Sequence, residues 1–394
     1  MTKEYSPFTP GIPVPVEFFI GREQEIGKIV SSVRRCVAMK TIERIFVVGE
    51  RGIGKSSICN YALRVCEREE ILGLHILLGG ADSLEELAKR IMEAIVNASD
   101  SKPWYEKAKE FFGNRVKQLG LFGFRVELNL TAQDLSAIVN DVDSILKDLI
   151  AKTGHKGVLL ILDDLNGLAK LDKFADWLKS FVDKVSVNKS LPITLILSGL
   201  AERRTMLINN QPSLDRVFDI IKIEKFSPKE VEDFYTRTFY RVKVKVKPEA
   251  FHILSHYSGG YPAFMHEIGD ATFNADSNSE IDAKDAMTGV INATEIIGRK
   301  YIETNILDEI RSDKYKKILK MLTEKPFEYR FFRKQMNENL TNEEKKVTDN
   351  FLRKMEKLGV IKKITDAPVG TYQFTNQIYY LFFHLHLNLK GNSR

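Results

Sequence analysis

At 394 residues the chain exceeds what a single hydrophobic core organises, so two or three domains are expected. With 43% hydrophobic and 28% charged residues it is neither a disordered nor a low-complexity protein, and its formal net charge of +6 is mild. Cys36, Cys59 and Cys66 form no CxxC pair and no His-flanked cluster, which argues against a structural zinc site or a disulfide framework. The charge is unevenly placed: from Arg311 onward there are 18 Lys and Arg against 9 Asp and Glu, leaving about −3 for the rest. A basic C-terminal part suits an acidic partner such as nucleic acid, although a solvated face has the same composition. The N-terminus lacks the build of a signal peptide, and no apolar run approaches the roughly 20 residues that span a bilayer. The expectation is a cytoplasmic protein without a membrane partner.

Residues 1–20 carry Pro7, Pro10, Pro13 and Pro15 and read as an extended lead-in. Ile26, Ile29, Val30, Val33 and Val37 have helical spacing over residues 23–39, followed by a short buried strand at 44–48 and a helix from Lys55 to Glu67. A second buried strand spans Leu72–Leu78, with a helix from Ser83 to about Val96. Residues 101–135 look inserted: an amphipathic segment from Trp104 to Leu119 leads into an alternating stretch that suggests strand pairing. A long helix from Ala132 to Lys152 returns the chain to a third strand, Gly157–Leu162; after another helix come a fourth, Ile193–Ser198, and a short fifth, Ile220–Glu224. Strands alternating with helices predict a parallel sheet covered on both faces. Helical spacing dominates from Pro228 to about Asn305, with the Val242–Lys247 alternation read as a solvated loop. The remaining residues predict helices at Lys314–Leu322, Arg330–Met336 and from Thr341 or Asn342 to Leu358. Two strands follow, around Val360–Ile364 and Thr371–Phe374, in the layout of a winged helix-turn-helix. The pair His384 and His386 reads as packing.

The run Gly49-Glu50-Arg51-Gly52-Ile53-Gly54-Lys55-Ser56 fits GxxxxGK[ST], with Ser57 next, and lies between a buried strand and a helix. Glycines let such a loop turn its backbone N–H groups onto phosphate oxygens, and the helix start adds its positive dipole end. Lys55 is expected to reach the β and γ phosphates of ATP, and Ser56 to ligate Mg²⁺. Val158-Leu-Leu-Ile-Leu-Asp163-Asp164 ends a buried strand in two carboxylates, which is costly unless a cation or water meets them. Asp163 is expected to hold Mg²⁺ and Asp164 to orient or activate the attacking water; the plainer alternative is a strand end followed by a capping Asp.

Together these residues resemble the AAA+/STAND branch of P-loop ATPases, most closely archaeal-type ATPases and origin-recognition initiator-like proteins, over most of the chain. Phe18-Phe19-Ile20-Gly21-Arg22-Glu23 is similar to the segment that in this family wraps adenine and ribose. Ser213-Leu-Asp-Arg216 precedes the fifth strand, where the family carries an arginine finger; Arg203 and Arg204 are alternatives, and Arg216 also suits a surface or ion-paired role. Ser258-Gly-Gly-Tyr-Pro262 is similar to the GxP motif whose proline touches the base. The resemblance implies a five-stranded parallel α/β core over 1–227, a helical lid over 228–305 and a winged helix over 306–394, with ATP bound between core and lid. It also implies an ATPase (ATP to ADP and phosphate) and oligomerisation on ATP if Arg216 is a finger. Three departures from the family pattern stand out. The second motif ends in Asp-Asp, Ser198 stands where a sensor Asn or Arg is usual, and no sensor arginine accompanies Pro262, leaving His266 as a group that could face nucleotide. They imply slow turnover suited to a switch.

On a helical wheel Val347, Phe351, Leu352, Met355 and Leu358 fall on one side of the last long helix, and Lys346, Asn350, Arg353 and Lys357 on the other. That stripe, with Lys362 and Lys363 on the wing, suits double-stranded DNA. Glu343, Glu344, Asp349 and Glu356 share the helix, so a protein partner in a signalling or defence regulator is the competing expectation.

Overall fold

Runs of apolar residues too short for helices and flanked by turns become the inner strands of one sheet, where both faces are buried. The computed structural model describes residues 5–15, 18–97, 116–119, 126–128, 132–188, 191–303, 306–324, 329–338 and 340–389. It divides into two compact units, Pro13–Glu224 and the described parts of Met1–Ile12 with Lys225–Arg394.

In the first unit β1 (Ile42–Val48), β2 (Ile71–Leu77), β5 (Gly157–Asp163), β6 (Ile193–Gly199) and β7 (Asp219–Lys222) form one five-stranded sheet in the order β2-β5-β6-β1-β7. Every pairing is parallel, as the strand–helix alternation predicts. All seven residues of β5 and all seven of β6 are buried. Helices α1 (Glu23–Met39), α2 (Lys55–Glu67), α3 (Leu84–Asn97), α4 (Ala132–Thr153), α5 (Asp172–Asn188) and α6 (Ala201–Asn210) belong to the same unit. The register matters most at the strands' C-terminal ends, since Leu77 pairs with Asp163, Asp163 with Ser198, and Val48 with Gly199. Within the inserted segment β3 (Val116–Leu119) and β4 (Val126–Leu128) pair antiparallel: β4 lies in the alternating stretch, whereas β3 takes the end of the run read as amphipathic; that run from Trp104 up to residue 115 lies outside the described residues.

The second unit opens with α7 (Pro228–Arg241), α8 (Pro248–Ser258), α9 (Pro262–Ala275) and α10 (Ala283–Ile297). Capping boxes from Ser227 with Glu230 and from Asp282 with Asp285 start α7 and α10. The Pro-rich lead-in contributes Phe8, whose ring lies 4.9 Å from Phe239 and 6.0 Å from Phe234 by centroids. Gly269 makes room for it: a Cβ there would stand 2.3 Å from the ring. The Val242–Lys247 segment is not simply a solvated loop. β8 (Lys245–Val246) pairs with β9 (Glu280–Ile281), and Val244, just before β8, is buried.

Toward the C-terminus come α11 (Asp313–Leu322), β10 (Arg330–Phe332), α12 (Arg333–Glu338), α13 (Asn342–Lys357), β11 (Ile361–Lys363), β12 (Thr371–Phe374) and α14 (Gln377–Phe383). The small sheet has three antiparallel strands, in the order β10-β12-β11, where the sequence suggested two. Arg330–Phe332 was expected to open a helix, but Phe331 stacks on Tyr372 across the ladder and holds the segment extended. His384 bonds the Thr323 carbonyl oxygen at 2.6 Å and His386 stacks on Phe382, so both histidines serve packing. Buried Asn376 caps α14 and donates to the Ser258 carbonyl oxygen at 3.2 Å, tying the C-terminal elements to the turn before α9. Among the described residues no helix is long and apolar enough to cross a membrane.

That turn needs glycine. Gly260 has φ +77°, and a Cβ there would sit 2.2 Å from the Phe226 carbonyl oxygen. Gly260→Ala is therefore expected to destabilise this unit by more than about 2 kcal/mol, because positive φ and a backbone clash add. Denaturant unfolding followed by circular dichroism tests this, and an unchanged midpoint would contradict it.

Candidate nucleotide and metal site

The loop after β1 is built for close approach. Gly52 and Gly54 have φ of +72° and +96°, which side chains rarely adopt. A Cβ on Gly49 would meet Ile53 at 2.7 Å and the Ile223 carbonyl oxygen at 3.1 Å. Ile53 is buried and anchors the loop from below, leaving its backbone for a ligand. No side chain caps α2, so the N–H groups of its first turn face the loop. Nζ of Lys55 donates to the carbonyl oxygens of Gly49 (3.0 Å) and Glu50 (2.8 Å). Burial pushes the Lys55 pKa below its ordinary value, against the attraction of Asp163 and Asp164. Ser57 points elsewhere, its hydroxyl accepting from the Val14 backbone N–H at 3.3 Å.

The parallel register sets the two carboxylates beside this loop. Asp163 is buried, and Asp164 follows in the left-handed region with φ +61°. Burial of Asp163 disfavours its charge, but the hydrogen bond from His75 and the neighbouring hydroxyls of Ser198 and Ser56 outweigh it and hold the carboxyl below its usual pKa. The buried Ser198 hydroxyl has no hydrogen-bond partner among the described residues. Oδ1 of Asp163 accepts from the Asp164 N–H at 2.9 Å, and the Asn166 side-chain amide donates to Asp164. Gly79 leaves space for Asp164: a Cβ there would be 2.9 Å from its Oδ2.

Arg51, Gly52, Lys55, Ser56, Asp163 and Asp164 share the wall of one pocket of about 510 Å³ with Gly199. The Ser56 hydroxyl and the Asp163 carboxylate, lining the same pocket, are a hard-oxygen pair that fits Mg²⁺, which takes few protein oxygens and leaves the rest to water and phosphate.

The other expected residues are placed as follows. Phe19 packs against Tyr61 of α2 with tilted rings whose centroids lie 4.8 Å apart, Ile20 is buried, and Gly21 and Arg22 have positive φ. Arg22 is buried too and bonds Glu25 at 3.5 Å. Arg204 pairs with Asp215, whereas Arg216 is exposed and forms no ion pair among the described residues. Pro262 begins α9 in the second unit. His266, on that helix, is buried against Phe8 and Phe234, accepts from the Thr9 N–H at 3.1 Å, and has its pKa pushed down to about 4 by burial. On α13 Lys346, Asn350, Arg353 and Lys357 are exposed opposite buried Phe351, Leu352 and Met355, and Lys362 and Lys363 are exposed on β11.

Sequence reasoning missed four pocket neighbours. Arg90 lines the pocket and donates to the carbonyl oxygens of Leu77 (2.5 Å) and Gly79 (3.1 Å), while Asn166 bonds Asp164. His75 bonds Asp163 and Asn60 bonds His75. No motif spacing marks them; only a polar residue inside an otherwise apolar strand, His75, was a visible signal.

Residues 19–193 match the family model of the AAA ATPase domain. No curated protein matches the chain significantly. Among solved structures, the ORC2 protein of Aeropyrum pernix, in ADPNP–ADP complexes, superposes with a TM-score of 0.61 at 12% identity, covering 100% of this chain and 98% of that one. A Walker-type ATPase of Pyrococcus abyssi gives 0.55 at 17% identity, covering 93% and 96%. Cdc6p of Pyrobaculum aerophilum gives 0.50 at 12% identity, covering 97% and 98%. Identities this low establish a shared fold.

Proposed function

We propose, from the match of residues 19–193 to the AAA ATPase domain model, a slow, magnesium-dependent nucleotide switch whose C-terminal winged helix binds double-stranded DNA. In this reading Lys55 meets the β and γ phosphates and the Gly49–Ser57 backbone cradles them. Ser56 and Asp163 hold Mg²⁺, which when bound neutralises phosphate charge, and Asp164 orients the attacking water. Ser198 sits beside Asp163 as the sensor. Arg216, exposed and without an ion pair among the described residues, suits a finger acting on a neighbouring copy in an ATP-dependent assembly. ATP and ADP differ at the γ-phosphate, so only contacts to that group can drive a change in what the second unit presents.

The observation that carries the DNA assignment is the exposed stripe Lys346, Asn350, Arg353 and Lys357 on α13. It is an amphipathic helix with its apolar face in the domain core and a basic face outward, next to Lys362 and Lys363. The test is fluorescence anisotropy of duplex DNA at low and moderate salt, with ATP, ADP or neither, alongside sedimentation of the same mixtures. ATP-dependent binding is expected to weaken steeply with salt and to drop at least about tenfold in a Lys346→Ala, Arg353→Ala, Lys357→Ala variant. Arg216→Ala is expected to reduce the ATP-dependent assembly. If DNA stays unbound in every nucleotide state while ATP binds, the winged helix is a protein-interaction module and the DNA reading fails.

A further inference from the structure

Ser56 and Asn60 stand four residues apart on α2, so both lie on one face of the helix. Ser56 lines the same pocket as Asp163, and Asn60 reaches that carboxylate through His75 of β2. Oδ1 of Asn60 lies 2.7 Å from Nδ1 of His75, and Nε2 of His75 lies 3.1 Å from Oδ2 of Asp163. His75 shares its strand face with Leu77, the register partner of Asp163. A neutral imidazole satisfies both contacts when the Asn60 amide nitrogen faces Nδ1 and donates to it, leaving Nε2–H to donate to the carboxylate.

We propose that His75, oriented by Asn60, is a positioning residue that holds the Asp163 carboxylate in the orientation needed to receive Mg²⁺ with ATP. The proposal rests on the assignment of Asp163 as a magnesium ligand. Oδ1 of Asp163 is engaged by the N–H of the next residue, Asp164, and Oδ2 by His75, so the carboxylate is tethered at both oxygens and His75 supplies the tie from another strand. Each oxygen keeps a further lone pair for Ser56 or a metal-bound water. Without the His75 donor, a buried carboxylate on a fully buried strand turns about its last bond and loses the pre-set geometry that magnesium demands. The relay also joins the helix of the phosphate loop to the strand carrying the carboxylates, so the loop and the metal ligand are set by one chain of side chains.

A fluorescent ADP analogue titrated into the full-length chain, once in EDTA and once with Mg²⁺ varied at fixed nucleotide, separates this role from a structural one. His75→Leu keeps the volume and is expected to raise the Mg²⁺ concentration for half-maximal tight binding by about tenfold or more. Its affinity in EDTA is expected to stay within about twofold of the parent. His75→Gln, whose amide nitrogen can replace Nε2–H, is expected to stay within about threefold in both conditions, and Asn60→Ala to fall between the two. Should His75→Leu fail to fold, Asn60→Ala carries the same comparison. The proposal is overturned if both variants keep the parent Mg²⁺ dependence while Asp163→Asn loses it. It is equally overturned if affinity in EDTA drops in step with that in Mg²⁺ and glutamine does not rescue, which is the mark of a merely structural tie. An unchanged Mg²⁺ dependence in Asp163→Asn itself would remove the ligand assignment beneath the proposal, and the proposal with it.

Discussion

Lys55→Ala is expected to lower ATP turnover by at least about a hundredfold and to weaken nucleotide binding. The ammonium stands at the mouth of α2, already donating to two loop carbonyl oxygens within 3.0 Å, with Asp163 and Asp164 close enough to oppose the effect of its burial. Charge-assisted hydrogen bonds contribute about 1.5–3 kcal/mol each, so losing two to the phosphates removes about 3–6 kcal/mol of transition-state binding. At about 1.36 kcal/mol per tenfold, that is a hundredfold loss or more. The loop should survive the change, because Gly52, Gly54 and buried Ile53 shape it besides the lysine's two bonds. Phosphate release at saturating Mg·ATP, with a thermal melt as control, gives the answer. Turnover within threefold of the parent would mean that this loop is not where ATP reacts.

Asp164→Asn should separate hydrolysis from binding. Asparagine tolerates φ near +61° at least as well as aspartate, so the backbone has no reason to move. The amide keeps the shape and can still meet Asn166, but it cannot take a proton or attract one from water. General-base contributions run to about 10²–10⁴-fold, so kcat is expected to fall by about a hundredfold or more while affinity for Mg·ATP stays within about threefold. Such a variant would lock the ATP state and serve the DNA and assembly measurements directly. Undiminished turnover would leave Asp164 as no more than the polar end of a strand.

The two predictions differ in how far the sequence alone supports them. Lys55 and its loop were legible because the determinants are local: glycines where φ must be positive, then a helix whose first N–H groups are free. Asp163 and Asp164 were legible because an uninterrupted apolar strand ending in two carboxylates is rare without a charge to meet them. The apolar stripe of α13 was likewise readable, since 3.6-residue periodicity alone separates Phe351, Leu352 and Met355 from the exposed Lys346, Arg353 and Lys357.

Where the structure departed from expectation, distant partners were responsible. Arg330–Phe332 became a strand because Thr371–Phe374 offered it a ladder, and Lys245–Val246 because Glu280–Ile281 did. Phe8, in a lead-in with no periodicity, found its place in a space that Gly269 leaves more than 250 residues later. His266 was a candidate for the nucleotide, yet it is buried with Phe8 and Phe234 and bonded to Thr9. The sequence by itself determined the phosphate loop, the carboxylate pair and the alternation that makes a parallel sheet, because these depend on backbone conformation and periodicity within a few residues. Only the tertiary structure decided that Arg90, Asn166 and His75 with Asn60 surround the carboxylates. Their neighbourhood comes from the register that sets Leu77 beside Asp163 and from helices packed on that sheet, and neither is written in the spacing of any one segment.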